Sequence, residues 1–236
     1  MVALLLRLTL LITLPFVLLL FASPMPGIYL AWDLANGVGF LCGVLLAMLF
    51  IYSGRPLSEP HYDGKFFMNL HRDLGYAATL LLAVHIGVLL FSEPLVIDYL
   101  KPSATWPMLS GTLASLILLV LVPTGLTAVR KKLWRNHRHF KHWHYGLGAL
   151  LLGLMSVHVI SAGFYSAEPW KAFLWVGMIC AAILRPLMPR PALVRGIGSR
   201  RRHTARYASW LSVGVVLFAL TLALGYSLLA NSDLPL

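Results

Sequence analysis

Two stretches decide the reading of this chain: HRDLGYAATLLLAVH at residues 71–85 and HYGLGALLLGLMSVH at residues 144–158. Each lies in an apolar run and carries a histidine at both ends, His71 and His85 in the first, His144 and His158 in the second. As helices, positions 14 residues apart are turned by about 1400°, roughly 40° short of four full turns, so both members of a pair share one face. They are separated along the axis by roughly 21 Å, against a bilayer hydrocarbon layer of about 30 Å. Each helix therefore presents one imidazole near each boundary of an apolar layer.

The rest of the sequence supplies that layer. Of 236 residues, 59% are apolar and only 11% charged, where soluble domains carry about 25% charged residues, and the mean hydropathy is +0.79. Seven apolar runs follow one another, at about 3–22, 31–52, 71–91, 107–129, 142–163, 170–188 and 207–230. Prolines cluster between them, as breakers do, and Pro123 inside the fourth predicts a kink there. The expected fold is all-α: a polytopic membrane helix bundle, one transmembrane domain over 1–236, with a six-helix core (cofactor-binding part about 30–190) plus one extra C-terminal helix at about 207–230. The first run ends near a weak cleavage region at Ala22-Ser23, but its length favours a retained helix over a signal peptide.

The formal charge is +11. Arg7, the loops after the second, fourth and sixth runs, and Arg72 hold 17 of the 19 basic residues, leaving Lys101 and Lys171 on the other side. That asymmetry predicts a bacterial inner-membrane protein with a cytoplasmic N-terminus and a periplasmic C-terminus, and it accounts for the charge without nucleic acid. Trp32, Trp106 and Trp170 are expected at the outer interface, Trp134, Trp143 and Trp210 at the inner one. Cys42 and Cys180 both lie in apolar runs, which argues against a disulfide, a zinc site or an Fe–S cluster. No Cys-x-x-Cys-His occurs, which excludes covalently attached haem.

The third and fifth runs have the same direction across the membrane, so their histidines meet at two depths: His71 with His144 at the inner level, His85 with His158 at the outer. A pair of neutral imidazoles on opposite faces of a porphyrin iron is a sound axial set, and it places no unpaired charge in lipid. Two haem b groups, stacked across the bilayer, are the expected cofactors. Gly75 and Gly148, one turn after the inner histidines, would let a flat ring approach the backbone or serve ordinary helix packing. Arg72, Arg135 and Lys141 are the candidate propionate partners at the inner level. His142 is an alternative inner ligand, but 16 residues from His158 it faces the opposite side of a helix. His137, His139, His142 and His144 could instead hold a divalent metal, but they lack a carboxylate and sit among basic residues. His137, His139 and His142 read more simply as solvated loop or propionate contacts, His61 and His203 as plain loop residues.

The pattern His71-Arg72-Asp73-Leu74-Gly75 with His85, and the basic, tryptophan-containing loop leading to His144-Tyr145-Gly146 with His158, resembles the ferric reductase-type transmembrane domain superfamily. That superfamily includes ferric-chelate reductases, the membrane domain of the NADPH oxidases and the haem subunit of the bacterial methionine sulfoxide reductase system. The resemblance covers roughly residues 30–190. It implies electron passage across the membrane through an inner and an outer b haem. Two departures matter. There is no G-x-G-x-x-G after a strand, Gly196-Ile197-Gly198 lying in a basic loop, and the seventh run is outside the six-helix pattern. A flavin or quinone is therefore expected only through a partner or as a diffusible donor.

The expected function is transmembrane electron transfer, ferric reductase-like, from a separate flavoprotein or quinol donor to a periplasmic acceptor. Membrane lipid is the surrounding partner. A non-catalytic haem b subunit feeding a separate periplasmic reductase is the alternative. A transporter or channel would need intramembrane carboxylates, broken helices or repeated halves, and the spans contain only Asp33 and Asp73, both near helix ends.

Overall fold

The computed structural model describes residues 2–22, 27–53, 64–188 and 204–232. Arg55, His61, Arg190, Arg195, Gly196–Gly198, Arg200–Arg202, His203 and the Ser23 of the weak cleavage region lie outside the described residues. The elements are α1 (Val2–Leu20), α2 (Leu30–Ile51), α3 (Gly64–Ser92), α4 (Trp106–Gly125), α5 (Thr127–Leu133), α6 (His137–Ala162), α7 (Pro169–Leu184) and α8 (Thr204–Ala230), with 3-10 turns at Pro94–Leu100 and Arg185–Leu187. All but α5 are long and apolar enough to cross a membrane, giving seven spans among the described residues. The protein is a multi-pass, all-helical membrane bundle.

α2 is the central helix. In its most apolar window 67% of residues are buried, against 22–33% in the other spans. A helix apolar on every side belongs in the middle of a bundle, whereas its neighbours keep one apolar face for lipid. Around it the chain forms two closely packed antiparallel pairs, α2 with α3 and α4 with α6, and α8 lies against both α2 and α3. Small residues set that last contact: Ala208, Ala219 and Ala223 are fully buried, and a Cβ on Gly37 would sit 3.3 Å from the Ala223 methyl. Close backbone approach of this kind is how helices gain packing where lipid removes the hydrophobic drive. Ala223→Leu is expected to overpack the seam and destabilise the protein by about 1–3 kcal/mol, read as a lower thermal midpoint in detergent.

The structure departs from the apolar runs in two places. The run at 107–129 does not merely kink. α4 ends at Gly125, Leu126 is extended (φ −64°, ψ 135°), and the basic helix α5 restarts at Thr127. Pro123 has no N–H for the carbonyl one turn back, and its own carbonyl takes the Leu126 N–H at 3.1 Å instead. The run at 142–163 begins earlier, at His137. Asn136 caps the helix, its side chain accepting the Arg138 N–H at 2.8 Å. His137, His139 and His142 are therefore exposed residues on the first turns of α6, not loop. Trp106, Trp143, Trp170 and Trp210 are exposed, whereas Trp175 is wholly buried.

Candidate functional site

His85 on α3 and His158 on α6 line one apolar cavity of about 300 Å³ between α2, α3, α4 and α6. Both rings are fixed by the same device. His85 Nδ1 lies 2.7 Å from the Ala35 carbonyl of α2, and His158 Nδ1 lies 2.9 Å from the Pro107 carbonyl of α4. One turn beyond each carbonyl is a glycine with no room for a side chain. A Cβ on Gly39 would be 2.8 Å from His85 Nδ1, and a Cβ on Gly111 would be 2.8 Å from His158 Nδ1. Carbonyl and glycine together seat the back of each imidazole against its neighbouring helix. With Nδ1 donating to a carbonyl, the neutral ring keeps Nε2 as a lone-pair donor. A fixed tautomer with a raised basicity is what a metal-ligating histidine needs.

At the other end, the rings of His71 and His144 face each other with centroids 6.1 Å apart and planes at 60°. Two imidazole nitrogens, each about 2 Å from a shared metal, put ring centres roughly 6 Å apart. His71 Nδ1 is held by the Tyr52 carbonyl at the end of α2, 3.0 Å away. His144 Nδ1 is buried without a partner. His144 packs instead on Phe140 (centroids 5.1 Å), which also meets His137 (5.7 Å), Trp134 (5.5 Å) and the Arg130 guanidinium (5.3 Å). Phe140 thus joins the basic helix α5 to the His71–His144 pair.

Toward one end of α3 and α6, His71 and His144 thus face each other ring to ring, and toward the other His85 and His158 line a common cavity. The donor set at each level, two imidazole nitrogens, with an apolar cavity around His85 and His158, fits an iron porphyrin and not a hard divalent cation, which takes oxygen ligands. Of the other predicted residues, Arg72, Arg135 and Lys141 are exposed, and Arg72 Nε is paired with Asp73 at 2.9 Å. A Cβ on Gly75 would meet nothing within 4 Å, whereas one on Gly148 would lie 3.2 Å from the Phe50 ring, so Gly148 has a packing neighbour. Sequence reasoning missed Gly39 and Gly111. Nothing in the sequence distinguished them from the other glycines, since the carbonyls one turn before them belong to unlike residues, Ala35 and Pro107. It also missed Tyr165 in the α6–α7 connection, which joins the cavity wall and donates to Asp33 at 2.5 Å. Burial, reinforced by that carboxylate, pushes the Tyr165 phenol far up from its ordinary range, so it stays protonated and donating.

The model of the family described as ferric reductase like transmembrane component matches residues 38–155, half of the chain. The chain belongs to that family. Gly39, His71, His85, Gly111 and His144 fall within the matched part of this ferric reductase-like domain, and His158 lies just past its end. α1 and α8 lie wholly outside the match. No curated protein and no solved structure matches the chain.

Proposed function

We propose that the protein carries electrons across the bacterial inner membrane through two b-type haems, ferric reductase-like, accepting them at the cytoplasmic face from a flavoprotein or quinol. The periplasmic acceptor would be ferric iron or a partner protein. What carries the reading is that α3 and α6 turn their histidines toward one another at two levels, the His71 and His144 rings 6.1 Å apart and His85 and His158 lining one cavity. Membership of an oxidoreductase-associated family supports it. Haem bound at each pair would supply reversible one-electron Fe(III)/Fe(II) chemistry.

The chain's own residues do the remaining work. His71 and His144 would ligate at the basic end of the bundle, His85 and His158 at the other. The carbonyls of Tyr52, Ala35 and Pro107 hold three of the rings in one tautomer. The apolar wall of the His85–His158 cavity, Leu82, Leu151 and Met155 among it, would lower the dielectric around a metal held there. Arg72, Arg135 and Lys141 would meet propionates or an acidic donor at the basic end.

The decisive experiment is a pyridine haemochrome assay and an absorption spectrum of the purified protein. The expected result is a low-spin b-type spectrum with close to two haems per chain; a colourless protein after expression with ample haem overturns the reading. His142→Ala is expected to leave haem content within about 10% of wild type, since His142 is an exposed side chain on the first turns of α6 and lies on the opposite helix face from His158. A large loss in that variant would transfer the ligand role from His144. Reoxidation of the dithionite-reduced protein by ferric chelates would mark direct metal reduction.

A further inference from the structure

The carboxylate of Asp33 is wholly buried, in the first turn of α2, where an ionisable group is expensive unless its oxygens are satisfied. Three segments satisfy it. The Ile28 N–H (3.0 Å) and the Asn231 side-chain amide (2.9 Å) donate to Oδ2, and the Tyr165 hydroxyl donates to Oδ1. Both oxygens accept, as a carboxylate does.

Two links run from Asp33 to the His85–His158 cavity, one through α2 and one through Tyr165. Two residues after Asp33 comes Ala35, whose carbonyl fixes His85. Tyr165 forms part of the cavity wall. The connection carrying it turns inward at Gly163, the described residue with a positive φ (74°), and is tied back by the Ser166 hydroxyl to the Val159 carbonyl, next to His158, at 2.6 Å. Asn231 directly follows α8, which is also bonded to the start of α2 through Ser227 to the Leu30 carbonyl (2.6 Å) and Gly27 N–H to the Ala230 carbonyl (3.0 Å).

From this arrangement we infer that Asp33 is a positioning residue of the His85–His158 site: it fixes the α2 turn that orients His85, holds the Tyr165 wall in place, and adds one negative charge beside that site. The inference rests on the haem reading above. A nearby fixed anion favours the oxidised, more positive metal, so the charge lowers the potential of that haem relative to a neutral residue.

The test uses the full-length, haem-loaded protein, with redox titration and low-temperature EPR of the ferric state. Asp33→Asn keeps the shape and removes the charge. It is expected to raise the midpoint potential of one haem and shift its low-spin g-values, leaving the other unchanged; the haem that responds is the one absent from His85→Ala. Tyr165→Phe keeps the ring and removes one donor, and is expected to shift the same g-values with haem content retained. Unmoved potentials and g-values in both variants, or equal shifts at both haems, would overturn the assignment. If Asp33→Asn does not fold, Tyr165→Phe decides alone. The wild-type haem count comes first: no haem there sinks the functional reading, whereas two haems with unmoved signals sink only the role of Asp33.

Discussion

His85→Ala is expected to remove roughly half of the haem, and His158→Ala to remove the same half, while the protein still folds and inserts. His85 and His158 would each supply one nitrogen to the haem iron at this site, so removing either would remove half of its protein ligation. The fold should tolerate the change, because neither histidine belongs to the buried apolar core and truncation opens a cavity that already exists. Pyridine haemochrome gives the count, and the remaining haem should keep its bis-imidazole low-spin spectrum. The double variant His85→Ala with His158→Ala should lose no more haem than either alone, since both act on one site. Full haem retention in the single variants would refute the pairing.

The second large effect concerns residues with no side chain. Gly39→Val and Gly111→Val are each expected to weaken haem retention at the His85–His158 site by about 10–100-fold, the range seen when the groups supporting a metal ligand are lost. A Cβ on Gly39 would lie 2.8 Å from Nδ1 and 2.9 Å from Cε1 of His85. The ring cannot retreat without leaving the Ala35 carbonyl, 2.7 Å away. Overpacking costs about 1–3 kcal/mol and a lost buried hydrogen bond about 1 kcal/mol more, so the imidazole turns away from the cavity. Gly87→Ala on α3 and Gly153→Ala on α6 are the controls, since a Cβ there meets nothing within 4 Å. Equal haem loss in the controls would show that glycine matters to these helices generally and not to the ligand seats.

The spans were legible in the sequence because lipid imposes one simple demand, a run of apolar residues long enough to cross. The pairing of histidines was legible because a separation of 14 is nearly a whole number of helical turns. The period places both histidines of a helix on one face; the packing of α3 on α2 and of α6 on α4 turns those faces toward each other. What stayed hidden were features that hydropathy does not record. The first turns of α6 are polar and helical, and only Asn136 at the cap announced them. The break at Leu126 depends on where the carbonyl freed by Pro123 and its neighbours find partners. The atoms that pin three of the histidines are main-chain carbonyls, which any residue supplies and no motif marks. Gly39 and Gly111 are two of 19 glycines, and their role appears only once the facing helix is in place.

α2 supplies the carbonyls for both histidines of α3, Ala35 for His85 and Tyr52 for His71. It therefore works as a ruler laid beside α3. Side-chain drift at Ala35 or Tyr52 cannot erase a main-chain oxygen, so the two marks survive most point substitutions. Inserting a single residue between them would slide one mark by about 1.5 Å and swing it by about 100°, and the two histidines of α3 could no longer both be held in register.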